Sequence, residues 1–189
     1  EGVANFHDIY MDALLLAGAD KLARGDAEGA IALYSKAFDY PENHQVFYVD
    51  GRVPHDAQVY CALAEAYAAL GDAANEKANY EKAVQVNVRK TDYRYWKGVA
   101  LKALGRKAEA KALFRELVDE GRKGIVTDFV NFYGAEGTTG ETVATVNTRA
   151  YLTMGLGYKG LGRPFKARSC FKKAVSLKPD NLWADVMLR

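Results

Sequence analysis

Residues 155–160 read Gly-Leu-Gly-Tyr-Lys-Gly, the pattern whose glycines let a backbone close around a dinucleotide pyrophosphate where a strand runs into a helix. Here the stretch lies inside a helical pattern, so its glycines read as small packing residues and no cofactor is expected. Gly137-Thr-Thr-Gly-Glu-Thr142 lacks the lysine that a phosphate loop uses and reads as an exposed loop entering a helix. The histidines are His7, His44 and His55, and none has a second ligand at metal-site spacing. His44 and His55 could meet across the first insertion with Glu42 or Asp56, but surface-loop histidines are much the commoner case. Cys61 and Cys170, 109 residues apart, fit neither a disulfide framework nor a zinc site. Cys61 reads as a small packing or groove-lining residue, and Cys170 sits beside Phe171. No Ser-His-Asp or Cys-His arrangement is present, and no carboxylate pair stands out as acid and base. No catalytic, cofactor or metal residue is assigned, and the chain is expected not to be an enzyme.

The elements that would position any site come from composition and period. The chain has 189 residues, 49% of them hydrophobic, with only four prolines, which favours one helical domain over 1–189. Twenty-six basic against 24 acidic residues leave +2, so bulk charge calls for no nucleic acid. No apolar run of about 18 residues is present to span a bilayer, so no membrane partner is expected. The opening Glu1-Gly-Val-Ala-Asn, without Met or signal core, reads as a piece of a longer protein.

A repeat runs through the chain. Turn glycines stand at Gly25, Gly71, Gly105 and Gly162; seven residues before each comes Gly18, Ala64, Gly98 or Gly155. Nine residues after each comes Tyr34, Tyr80, Phe114 or Phe171, and twelve after, Ala37, Ala83, Leu117 or Ala174. Small residues let paired helices approach, the turn glycine takes a left-handed conformation, and the aromatic is expected to fill the gap between neighbouring hairpins.

This pattern resembles the tetratricopeptide repeat family, most strongly at Tyr151-Leu-Thr-Met-Gly-Leu-Gly-Tyr158 followed by Gly162, Ala167, Phe171, Ala174 and Pro179. Glu76, Arg94 and Lys97 depart from it. The resemblance implies an all-α fold: a right-handed α-α superhelix of four helical hairpins, with repeats at about 11–44, 57–90, 91–122 and 148–181. The expected helix pairs are 8–24 with 27–39, 56–70 with 73–87, 91–104 with 107–120, and 142–161 with 164–177. Spacings of 46, 34 and 57 residues between turn glycines, against a period of 34, place insertions at about 43–55 and 123–146. The first holds either a hairpin around Asp50-Gly51 or a loop packed by Phe47 and Tyr48; the second holds an extra helix over Ile125–Tyr133 and a loop over Gly134–Gly140. Residues from Asp180 onward begin a capping helix.

In such repeats the first helix of each hairpin lines a concave groove. The resemblance places Asp12, Leu15, Ala19 and Leu22 there in repeat 1, and Gln58, Cys61, Glu65 and Ala68 in repeat 2. Asp92, Tyr95, Val99 and Lys102 follow in repeat 3, and Arg149, Leu152, Leu156 and Lys159 in repeat 4. Because Leu15 and Ala19 replace the Lys and Asn of the family's carboxylate clamp, no chaperone-tail clamp is expected. The implied role is a non-catalytic interaction or scaffold module for a protein segment or an upstream domain, with self-association through the apolar N-terminal helix as an option. Residues 1–60 hold ten acids and four bases, net −6, whereas 142–179 hold eight bases and no acid. Solvation of exposed charge accounts for the basic stretch as it stands, and an acidic partner or a head-to-tail contact is the alternative.

A narrower resemblance rests on Pro41-Glu-Asn, Asp56–Gly71, Tyr95–Gly105 and Phe132-Tyr-Gly. It is to the C-terminal repeat tract of large bacterial proteins with an N-terminal β-rich, carbohydrate-related domain. It implies an alternative role in carbohydrate binding, with Tyr93, Tyr95 and Trp96 facing sugar rings and Asp92 and Arg149 bonding hydroxyls. Packing of those aromatics between repeats 3 and 4 is the competing account.

Overall fold

The computed structural model describes residues 6–39, 55–88, 92–127 and 142–189. Among them the chain is helical, with no strand: α1 (Phe6–Ala23), α2 (Ala27–Lys36), α3 (Asp56–Ala69), α4 (Ala73–Gln85), α5 (Arg94–Ala103), α6 (Lys107–Lys123), α7 (Val143–Gly160), α8 (Pro164–Leu177) and α9 (Leu182–Leu188). The all-α repeat class expected from sequence is the class found, and α9 is the helix expected after Asp180. The chain divides into two compact units, residues 3–107 and 108–189.

One local device builds every turn. Gly25, Gly71, Gly105 and Gly162 have φ of 84°, 74°, 79° and 69°, a region that a side chain strongly disfavours. The next residue's N–H then bonds the carbonyl five positions back: Asp26 to Lys21, Asp72 to Tyr67, Arg106 to Leu101 and Arg163 to Tyr158, at 2.8–3.0 Å. These bonds satisfy carbonyls that the helix end leaves open. Asp26 and Asp72 also work forward, accepting from the N–H groups of Gly29 at 2.8 Å and Asn75 at 3.0 Å to cap α2 and α4. At the fourth turn, Pro164 in the first turn of α8 presets the helical φ instead.

In the first unit, α1, α3 and α5 touch in series, with α2 against α1 and α3, and α4 against α3 and α5. A Cβ on Gly18 would lie 2.7 Å from Tyr34 Cζ, and one on Gly155, in the second unit, 2.7 Å from Phe171 Cδ1. At Tyr34 and Phe171 the aromatic thus closes its own hairpin, while Phe114 meets Gly157 and Gly160 of the next hairpin, as expected. Tyr80 does both: it shares a core with Cys61, Ala64 and Ala83 of its own hairpin and with Ala100 of α5. Trp96 packs on that core, so it joins repeats 2 and 3 rather than 3 and 4. In the second unit Val118, Met154 and Cys170 tie α6, α7 and α8 together.

The helix expected over Ile125–Tyr133 does not begin at its described end. Ile125 and Val126 are non-helical, and the Asn147 side chain grips both backbone groups of Val126 at 2.8 Å each, accepting from its N–H and donating to its carbonyl. Ile125 packs beside the Val118–Met154 core. Residues 128–133, the loop over Gly134–Gly140, the Asp50-Gly51 region, His44 and the His7 side chain lie outside the described residues.

Candidate protein-binding surface

The first helices divide their groove-assigned residues by burial. Glu65, Lys102, Arg149 and Lys159 are exposed, Asp92 and Val99 are half-buried, and Gln58, Tyr95, Leu152 and Leu156 are buried. The first unit holds Gln58, Glu65, Asp92, Tyr95, Val99 and Lys102; the second holds Arg149, Leu152, Leu156 and Lys159. Tyr95 meets Trp96 edge-on with ring centres 5.0 Å apart, and Val99 borders the Cys61 core. Burial, with the Glu65 charge adding to it, pushes the Tyr95 phenol up to about 12, and it does the same at Tyr34 and Tyr80. Lys159 donates to the Met187 sulfur at 3.1 Å, fastening α9 to α7.

Sequence reasoning misplaced His55. It is no surface-loop histidine but is 1% exposed, with Nε2 3.3 Å from Asp12 and Nδ1 3.7 Å from Asp8. Tyr93 lies over it, ring centres 4.8 Å apart. Burial disfavours its charged form, but the two carboxylates outweigh burial and push the imidazole up to about 9. They flank opposite ring nitrogens, so the three groups do not converge on one metal position. The described partners are Asp8 and Asp12, and Glu42 lies outside the described residues. Among the described residues no group of three or more metal-type side chains assembles.

The glycines of 155–160 are packing residues, as their helical context implied. Cβ atoms would meet the Phe171 ring at Gly155, the Phe114 carbonyl at 2.7 Å from Gly157, and the Phe114 ring at Gly160. Thr142, the last residue of the second glycine motif, caps α7 by accepting from the Thr145 N–H at 3.2 Å. Cys61 is buried and donates to the Trp96 carbonyl at 3.3 Å; burial raises both Cys61 and Cys170, which keeps the thiols protonated and poor nucleophiles.

Charge is distributed less evenly than the sums suggest. At the acidic end, Asp8 and Asp12 face His55, Asp20 pairs with Arg24 at 2.9 Å, and Asp26 pairs with Lys21 at 2.6 Å. On α1, Met11 and Leu15 are buried, Tyr10, Leu14, Leu16 and Leu22 are half-buried, and Ile9 is exposed. No described helix is long and apolar enough to cross a membrane.

A left-handed glycine at every turn and an aromatic seated on a small residue define a repeat of helical hairpins. Three segments match tetratricopeptide repeat models, residues 57–87, 92–120 and 148–181, so the chain contains tetratricopeptide repeats. α1 and α2 carry the same Gly18–Tyr34 pair and Gly25 turn outside the matched segments. Among solved structures, Pseudomonas aeruginosa PilF is similar at 19% identity, covering 96% of this chain and 67% of that one with a TM-score of 0.39. MamA of Desulfovibrio magneticus RS-1 is similar at 18% identity, 95% and 81% coverage and TM-score 0.34. YrrB, described as a TPR protein with an unusual peptide-binding site, is similar at 17% identity, 93% and 73% coverage and TM-score 0.32. No curated protein sequence matches the chain. Tetratricopeptide repeats generally serve as protein–protein interaction scaffolds.

Proposed function

We propose that the chain is a non-catalytic module that binds protein segments on the first helices of its hairpins. The occupant is supplied by another protein or by an upstream domain of a parent chain. One observation carries the reading: where these helices pack on small residues and rings, Glu65, Lys102, Arg149 and Lys159 are exposed charged residues at repeat positions assigned to the groove. Fixed charges on rigid helices select register and partner more than they add affinity. The carbohydrate alternative gains no support here, since Tyr93 lies on His55 and Tyr95 and Trp96 pack on each other beside the Cys61 core.

The test is site-specific photo-crosslinking in an extract of the source cells. A photoreactive residue at Lys102 and one at Lys159 are each expected to label a protein segment that a probe at Lys111, exposed on the second helix α6, does not label. Equal labelling from all three positions would remove the basis for the reading.

A further inference from the structure

The outward face of α8 takes no part in the surface just described. Ala167, Cys170, Phe171 and Ala174 turn inward and are buried, whereas Phe165, Lys166, Arg168, Lys172 and Lys173 are exposed, with Arg163 just before the helix. No acid occurs from 142 to 179. Lys166 lies 5.6 Å from the centre of the Tyr158 ring, and Arg168 reaches the Leu188 carbonyl at 3.4 Å. Arg163, Lys172 and Lys173 meet no carboxylate among the described residues. Phe165, 89% exposed, is the least covered large apolar side chain described.

We propose that this face is an attachment surface for an anionic phospholipid bilayer. The lack of a spanning helix bears on insertion and not on surface attachment. Three features favour lipid over protein. The cations are mostly lysine, which protein interfaces deplete. They spread over the outward half of one helix, as suits a diffuse sheet of charge. The one exposed aromatic on this face stands at the start of the helix, where its ring can enter the headgroup boundary, rather than at the centre of an apolar patch as a protein hot spot would. A nucleic acid would offer a similar array of phosphates, but binders of single strands interleave several stacking aromatics with the cations, and this face has one.

The experiment is co-sedimentation of the full chain with vesicles of phosphatidylcholine alone or of equal parts phosphatidylcholine and phosphatidylglycerol. Binding to the mixed vesicles only is expected, weakening as salt rises. Lys172→Gln with Lys173→Gln should cut partitioning by about 25-fold, roughly fivefold for each charge. Phe165→Ser should cut it on the order of tenfold while leaving the salt dependence unchanged. All variants should melt like the parent, because these side chains are exposed. Equal sedimentation with neutral vesicles, no sedimentation with the mixed ones, or variants that bind like the parent would overturn the proposal. So would duplex DNA or an acidic protein that needs the same lysines while vesicles stay unbound. The first-helix reading is independent of all these outcomes.

Discussion

His55 shows how one side chain can require a particular protonation state. With a carboxylate 3.3 Å from one ring nitrogen and 3.7 Å from the other, the positive charge of the imidazolium is favoured over the neutral ring. Its folded value of about 9 lies above the ordinary 6.5. The stability it contributes is therefore fully present below pH 6.5 and is lost as pH rises through about 9. His55→Gln should be less stable than the parent by on the order of 2 kcal/mol near neutrality. That gap should close at alkaline pH, as measured by urea unfolding across the range. A gap independent of pH would mean that His55 acts through packing alone. None of this was legible in the sequence, because Asp8 and Asp12 lie 47 and 43 residues upstream and only tertiary packing brings them to the ring. The turn glycines were more accessible, since their demands are met within a few residues.

At the scale of the helical hairpin, two glycines with different physical duties give different mutational costs. A Cβ on Gly71 meets nothing within 4 Å, and only its φ of 74° resists substitution, so Gly71→Ala should cost about 1 kcal/mol. Gly155→Ala drives a methyl into the Phe171 ring and should cost roughly 1–3 kcal/mol. Phe171→Leu should recover part of the Gly155→Ala loss, a coupling of about 0.5–3 kcal/mol in a double-mutant cycle from thermal unfolding. Strict additivity would contradict the seating of ring on glycine. The spacing that revealed this pair is a helix–helix contact repeated in sequence, and it showed even where Gly155 opens a false nucleotide motif. The segment after α6 gave no such signal. Its apolar residues suggested a helix, but the Asn147 side chain competes for the Val126 backbone and holds it out of one.

For the whole molecule, the repeat positions named the first helices correctly without fixing which of their residues reach solvent. Gln58, Tyr95, Leu152 and Leu156 are buried, and helix position alone does not encode that burial, which comes from neighbouring helices. The charge sums likewise carry no information on pairing: several N-terminal acids are engaged locally while α8 keeps its cations outward. What remains exposed on the first helices is a small set of charges, and on them the functional account stands. Its most direct measurement is calorimetric titration of each crosslinked segment against the parent chain, the variant at its own crosslinking position, Lys102→Glu or Lys159→Glu, and the second-helix control Lys111→Glu. The account predicts a loss of about tenfold or more, the cost of breaking a charged contact, for the two first-helix variants and none for the control. Equal losses in all three, or no loss at Lys102 and Lys159, would contradict it.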